Sequence, residues 1–120
     1  MSNLQLRHFE PLFYSPLLTF QLPNAAVMNQ RLLAEAEAMR TLSPGLERSN
    51  HNGWHSIDDF FERTEPGCLE LRGHILEAVR LATLHVAPQY DFSVMGMQAE
   101  GWINMLGRGG LNTPHDHPGW

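Results

Sequence analysis

The sequence predicts an α+β fold, and three observations lead there. Two long segments, 24–41 and 64–87, carry apolar residues at helical spacing. Shorter segments before and after them alternate with a period of two. The two kinds of segment are grouped along the chain instead of regularly interleaved, which separates this pattern from an α/β one. One hundred and twenty residues suffice for one hydrophobic core, so residues 1–120 are read as a single domain. Its first part, 1–89, is mainly helical, and strands occupy 90–120.

Residues 1–23 hold two apolar stretches, Phe9–Tyr14 and Leu17–Leu22, separated by Ser15-Pro16. Leu18, Phe20 and Leu22 alternate with Leu17, Thr19 and Gln21, the pattern of a strand with one face buried. Pro11, Pro16 and Pro23 place such a strand at an edge. Asn24 is the expected N-cap of a helix to about Thr41, with Met28, Leu32, Ala36 and Met39 as its apolar stripe. Ser43-Pro-Gly45 ends it. Glu47 to Ser56 is a loop by composition, with Trp54 between His51 and His55. In the plain reading Trp54 plugs the edge of the core; in the functional one the loop folds onto a substrate, contacted by Trp54 and Ser56.

Ser56-Ile-Asp-Asp59 resembles a cap with acids in the first turn, so a short helix is expected through Phe60, Phe61 and Arg63. A second long helix opens near Thr64-Glu-Pro66. Cys68, Leu71, Ile75, Val79, Ala82 and Val86 form its inner stripe, and Pro88 stops it. From Tyr90 the period changes to two, giving a strand over Phe92–Gly96 and another over Gln98–Leu106. Trp102, Asn104 and Leu106 fall on one face of the latter, Ile103 and Met105 on the other.

Composition excludes several functions. All eight basic residues are arginines, which removes lysine Schiff-base chemistry and a P-loop lysine. Thirteen acids against those eight give a net charge of −5, which opposes nucleic-acid binding. No apolar run reaches the roughly 18 residues of a membrane span, and the first residues lack a signal-peptide pattern, so the cytoplasm is the expected location. A lone Cys68 rules out an internal disulfide and reads as a small buried hydrophobe.

The chemistry concentrates in residues 102–120. Gly107-Arg-Gly-Gly110 suits a reversal, and an extended segment then carries His115-Asp-His117 between Pro114 and Pro118. In an extended segment residues two apart share a face, with Cα atoms about 6–7 Å apart. His115 and His117 can therefore close on one metal ion, while Asp116 points the other way. Two histidines fall short of a stable protein metal site, and a last hairpin without a neighbour leaves an exposed edge. The expectation is a fold completed by further residues, by a second copy or by another chain.

These residues resemble the iron(II)/2-oxoglutarate-dependent oxygenases of the double-stranded β-helix class. The nearest likeness is to a small bacterial and phage group with a Trp-x-Asn strand, a glycine-containing turn and a His-x-His-Pro segment. Here those are Trp102-Ile-Asn104, Gly107–Gly110 and His115-Asp-His-Pro118. An upstream Ser-Asn…Gly-Trp-x-Ser loop is matched by Ser49-Asn50 and Gly53-Trp-His-Ser56. The resemblance involves essentially the whole chain but only the N-terminal portion of such a protein. It implies helices packed on the first strands of a jelly-roll or cupin-like barrel, incomplete in these residues. It also implies Fe(II) and 2-oxoglutarate, with oxidation of a small molecule or a peptide-type substrate.

Under that resemblance His115 and His117 are the metal ligands, with Asp116 ranked behind them, and Trp102 and Asn104 line the co-substrate pocket. The family's usual set is two histidines and one carboxylate. A His-x-Asp order would put the carboxylate at position 117, where His117 stands. The third ligand and the basic residue that would bind the far carboxylate of 2-oxoglutarate are not assignable in this sequence. Two other readings compete. One is a non-catalytic metal-binding or interaction module docked on a partner chain. The other is a cupin-type metalloenzyme that does not use 2-oxoglutarate.

Overall fold

In the computed structural model, residues 4–8, 10 and 12–117 are described. Phe9, Pro11 and Pro118, which entered the expectations above, lie outside them. The element order is α1 (Ala25–Leu42), β1 (Asn50–His55), a 3-10 turn (Phe60–Glu62), α2 (Pro66–Val86) and β2 (Asn104–Asn112). The fold is α+β: two helices and a two-stranded antiparallel sheet of β1 and β2.

Helix α1 buries Met28, Ala36 and Met39 and half-buries Leu32, the stripe its spacing predicts. Its entry differs from the expectation. Asn24 has φ +52, and its side chain makes no capping bond; its backbone carbonyl accepts the Val27 and Met28 N–H groups. Helix α2 starts with Pro66 in its first turn, where a missing N–H costs nothing. The orphan N–H groups of Gly67 and Cys68 donate to the two Glu35 carboxylate oxygens of α1, at 2.7 and 3.0 Å. One carboxylate thus caps α2 and ties it to α1.

Segment 50–55, expected to be a loop, is strand β1. Its Asn- and Gly-rich composition conceals the pairing Trp54↔Met105 and His55↔Asn104, made through backbone groups that every residue but proline supplies. Trp54 is buried with Met39, Phe60 and Cys68, and Leu32, Leu71, Ile75, Ile103 and Met105 pack around them. This is the core: the corner where α1, α2 and the sheet meet.

Strand β2 begins six residues later than expected and runs through Gly107–Gly110 instead of reversing there. The pairing jumps from Gly53↔Leu106 to His51↔Leu111, so Asn52 alone faces Gly107, Arg108, Gly109 and Gly110. The glycines serve a wide bulge, not a turn. Gly109 has φ +74, a Cβ on Gly110 would lie 2.6 Å from the Asn52 carbonyl oxygen, and the Asn52 side chain donates to the Arg108 carbonyl.

Two expected strands are absent among the described residues. Tyr90–Met97 folds on itself: the Asp91 carboxylate accepts from the Ser93 N–H and hydroxyl, the Asp91 carbonyl accepts from Val94 and Met95, and the Tyr90 hydroxyl donates to the Gly96 carbonyl. Local side-chain bonds outcompete a ladder there. Residues 12–22 form neither helix nor strand and bend at Phe13, where φ is +59. Leu12, Phe13, Tyr14, Leu17 and Phe20 are all exposed, Leu17 at 92%. This arm helps to give a radius of gyration of 19.6 Å and a longest extent of 69 Å, against about 13–14 Å for a compact chain of this length. No helix among the described residues is long and apolar enough to cross a membrane.

Candidate functional site

The extended segment after β2 does bring His115 and His117 together. Their Nε2 atoms lie 3.1 Å apart and their ring centroids 4.8 Å apart, and both residues are exposed. The His115 Nδ1 is 2.7 Å from the Thr113 carbonyl oxygen. A carbonyl only accepts, so Nδ1 carries the proton and, in the neutral ring, Nε2 presents its lone pair. Thr113 is itself fixed, its N–H donating to the Ser49 carbonyl at 2.8 Å. A backbone carbonyl behind one imidazole nitrogen is the arrangement that orients the other towards a metal. With metal–nitrogen bonds of about 2.0–2.1 Å, the pair subtends about 95–100° at a shared ion. That angle suits adjacent positions of an octahedral or a tetrahedral set. Without metal, the same separation accommodates one Nε2–H···Nε2 hydrogen bond.

No group of three or more His, Cys, Asp or Glu side chains placed to hold a metal occurs among the described residues, so Asp116 does not join the pair. Nor does His51, although it faces Leu111 across the sheet.

Trp102 is part of the same neighbourhood. Its indole stacks on His55, with centroids 5.4 Å apart and planes 17° apart, and lies tilted against His117 at 5.7 Å and 33°. His55 is buried, and its Nδ1–H donates to the Ser56 carbonyl at 2.6 Å. The residues flanking Trp102 are pinned. The Ile103 N–H donates to the Ser56 hydroxyl and the Ile103 carbonyl accepts the Ser56 N–H, both at 2.9 Å; the Gly101 carbonyl accepts from Phe60 at 3.0 Å. Gly101 is required by close approach, since a Cβ there would stand 2.9 Å from the Phe61 ring.

Trp54 and Ser56, read from sequence as substrate contacts, are both buried. The Trp54 indole N–H donates to the Ser43 carbonyl at 2.9 Å, and the Ser56 hydroxyl donates to the Ile57 carbonyl at 2.7 Å. Neither side chain opens to solvent here; what Ser56 does for the site, it does by fixing Ile103 and hence Trp102. Asn104 is exposed on β2, opposite His55. Together with Trp102, Ile103, Met105, Leu33 and Ile75 it borders an open apolar groove of ≈ 750 Å³ between the helices and residues 100–105.

Cys68 is free and buried, a poor setting for a nucleophile. Burial pushes its thiol up to about 12, and the adjacent Glu35 carboxylate, which it hydrogen-bonds, pushes in the same direction. A helix N-terminus lowers a thiol pKa when it stands alone; here Glu35 already occupies it.

His55 is the member that sequence reasoning missed. Composition places it with His51 in a polar loop; in the structure the C-terminal end of β1 buries His55 while its N-terminal end leaves His51 exposed. Comparison with family models, with curated proteins and with solved structures returns no match for this chain.

Proposed function

We propose that this chain carries part of the metal site of an Fe(II)/2-oxoglutarate-dependent oxygenase, acting on a small-molecule or peptide-type substrate. The observation that supports it is the 3.1 Å separation of the His115 and His117 Nε2 atoms, with His115 oriented by the Thr113 carbonyl. Two neutral imidazoles at a right-angled bite fit two positions of a non-haem iron set, and the third comes from outside the described residues. Asn104 and Trp102 would border the co-substrate.

Bound iron and 2-oxoglutarate would supply the oxidising power of such a site. The chain's residues supply the ligand geometry, the backbone carbonyl that fixes the His115 tautomer, and an aromatic wall beside His117. In this reading β1 and β2 are early strands of a jelly-roll barrel in a cytoplasmic enzyme. Further polypeptide or a second copy covers the exposed apolar arm and the free strand edges.

Anaerobic Fe(II) titration by calorimetry, with and without 2-oxoglutarate, tests this. The expected result is Fe(II) binding that 2-oxoglutarate strengthens and that either His115→Ala or His117→Ala abolishes. Succinate formation from 2-oxoglutarate separates an oxygenase from a cupin-type enzyme. An absence of metal binding by the wild-type chain would defeat the metal reading. A second reading, an interaction module completed by another chain, is favoured by the exposure of Leu4, Leu6, Phe13 and Leu17 at 84% or more. It predicts stable association with that chain and no turnover.

A further inference from the structure

We propose that Trp102 is the positioning residue that holds the His117 ring beside His115, and that buried His55 is its support. The inference rests on the metal reading above for its functional meaning, but the arrangement stands on geometry alone. Four aromatic rings are in consecutive contact: His55 on Trp102 at 5.4 Å, Trp102 on His117 at 5.7 Å, and His117 on His115 at 4.8 Å.

The two ends of this chain of rings differ in kind. His55 is 3% exposed, on a paired strand, with Nδ1–H committed to the Ser56 carbonyl. His115 and His117 lie beyond the last residue of β2, on exposed backbone. His115 has its own anchor in the Thr113 carbonyl. The contacts of His117 are of another sort: its ring meets the indole and its Nε2 meets His115. A face of the indole therefore does for His117 what a backbone carbonyl does for His115.

The indole can act as a fixed wall because its backbone is clamped on both sides. Ser56 binds Ile103 through two hydrogen bonds, and Phe60 binds Gly101 through one. Indole and imidazole planes in offset or tilted contact attract through their opposed quadrupoles as well as through buried area. Restricting one of two ligands before the metal arrives lowers the ordering cost of binding, so affinity depends on the wall. These contacts join the Gly-Trp-His-Ser stretch to the His-Asp-His stretch, some sixty residues apart in the chain: His55 and Ser56 set Trp102, and Trp102 sets His117.

The test uses the whole chain as Trp102→Leu and Trp102→Phe, with two readouts. The first needs no metal. In proton–carbon spectra of the imidazoles, His117 ring protons beside an indole face are displaced by its ring current and show a nuclear Overhauser contact to His115. Both are expected to disappear in Trp102→Leu and to persist in part in Trp102→Phe. The second is the affinity for Co(II) alone, expected to fall about tenfold or more in Trp102→Leu, the usual effect of losing a partner behind a ligand, and to fall measurably but by less in Trp102→Phe. Should Trp102→Leu fail to fold, Trp102→Phe decides by an intermediate loss in both readouts.

Unchanged His117 signals and unchanged Co(II) affinity in a folded variant would overturn the inference. A wild-type chain that shows the ring-current displacement yet binds no Co(II) would defeat the metal reading while leaving the Trp102 support of His117 in place.

Discussion

The corner where α1, α2 and β1 meet and the side that carries the histidine pair are built on different terms. In the corner, Met39, Trp54, Phe60 and Cys68 are each less than a tenth exposed, and Glu35 satisfies the start of α2. On the histidine side, His115 and His117 are exposed and the organising contacts are ring faces and single carbonyls. Stability is therefore concentrated in the first region and ligand geometry in the second. Two segments connect them: β1, whose Trp54 packs in the core and whose His55 stacks on Trp102, and residues 101–105, which carry Trp102 between Gly101, bound by Phe60, and Ile103, packed on the core. Substitutions should divide accordingly: corner variants change unfolding, histidine-side variants change metal affinity.

The largest expected effect is Trp54→Ala. It removes a buried indole and leaves the Ser43 carbonyl without its donor, so a loss of about 3–5 kcal/mol is expected from urea unfolding. A loss below about 1 kcal/mol would mean that the corner is not where stability resides.

Glu35→Ala comes next. Losing an acceptor for two N–H groups at a helix start costs about 1–2 kcal/mol, read in the same experiment, and Glu35→Gln should retain part of it. Cys68 gives a companion pH test. Its folded pKa is raised, to about 12 from an ordinary 9.0, chiefly by burial and then by Glu35. The unfolded thiol therefore ionises first. The contribution of the protonated thiol is fully present below pH 9 and is lost as pH rises towards 12. Wild type should lose stability across that window relative to Cys68→Ala, and by less in the Glu35→Ala background, where one cause of the shift is gone.

The same division explains what could be read from sequence. The helices were legible because Met28, Ala36 and Met39, and Cys68 with Leu71 and Ile75, repeat at helical spacing and turn inward, Met39 packing with Cys68, Leu71 and Ile75, a signal carried by side chains. The His115–His117 pair was legible because spacing by two fixes a shared face. Strand β1 was not, since Asn50–Gly53 pairs through backbone groups that leave no mark in composition. Gly107–Gly110 misled because glycines permit a bulge and a reversal equally; only the position of Asn52 across the sheet distinguishes them. The Trp102–His55 contact lay beyond reach because it needs the β1–β2 register, which no local pattern encodes.

The smallest expected effect belongs to the arm before α1, and it sharpens the contrast most. Leu6 is 84% and Leu17 92% exposed, so Leu6→Ser with Leu17→Ser removes almost no buried area. The unfolding free energy should stay within about 0.5 kcal/mol of wild type, as for surface substitutions generally. A larger loss at low protein concentration would mean that the arm packs on its own body in solution. The open groove between the helices and residues 100–105 would then be part of the core, and the two regions would cease to be separable. A loss that appears only as concentration rises would instead place the arm against a second copy, because only association makes stability depend on concentration.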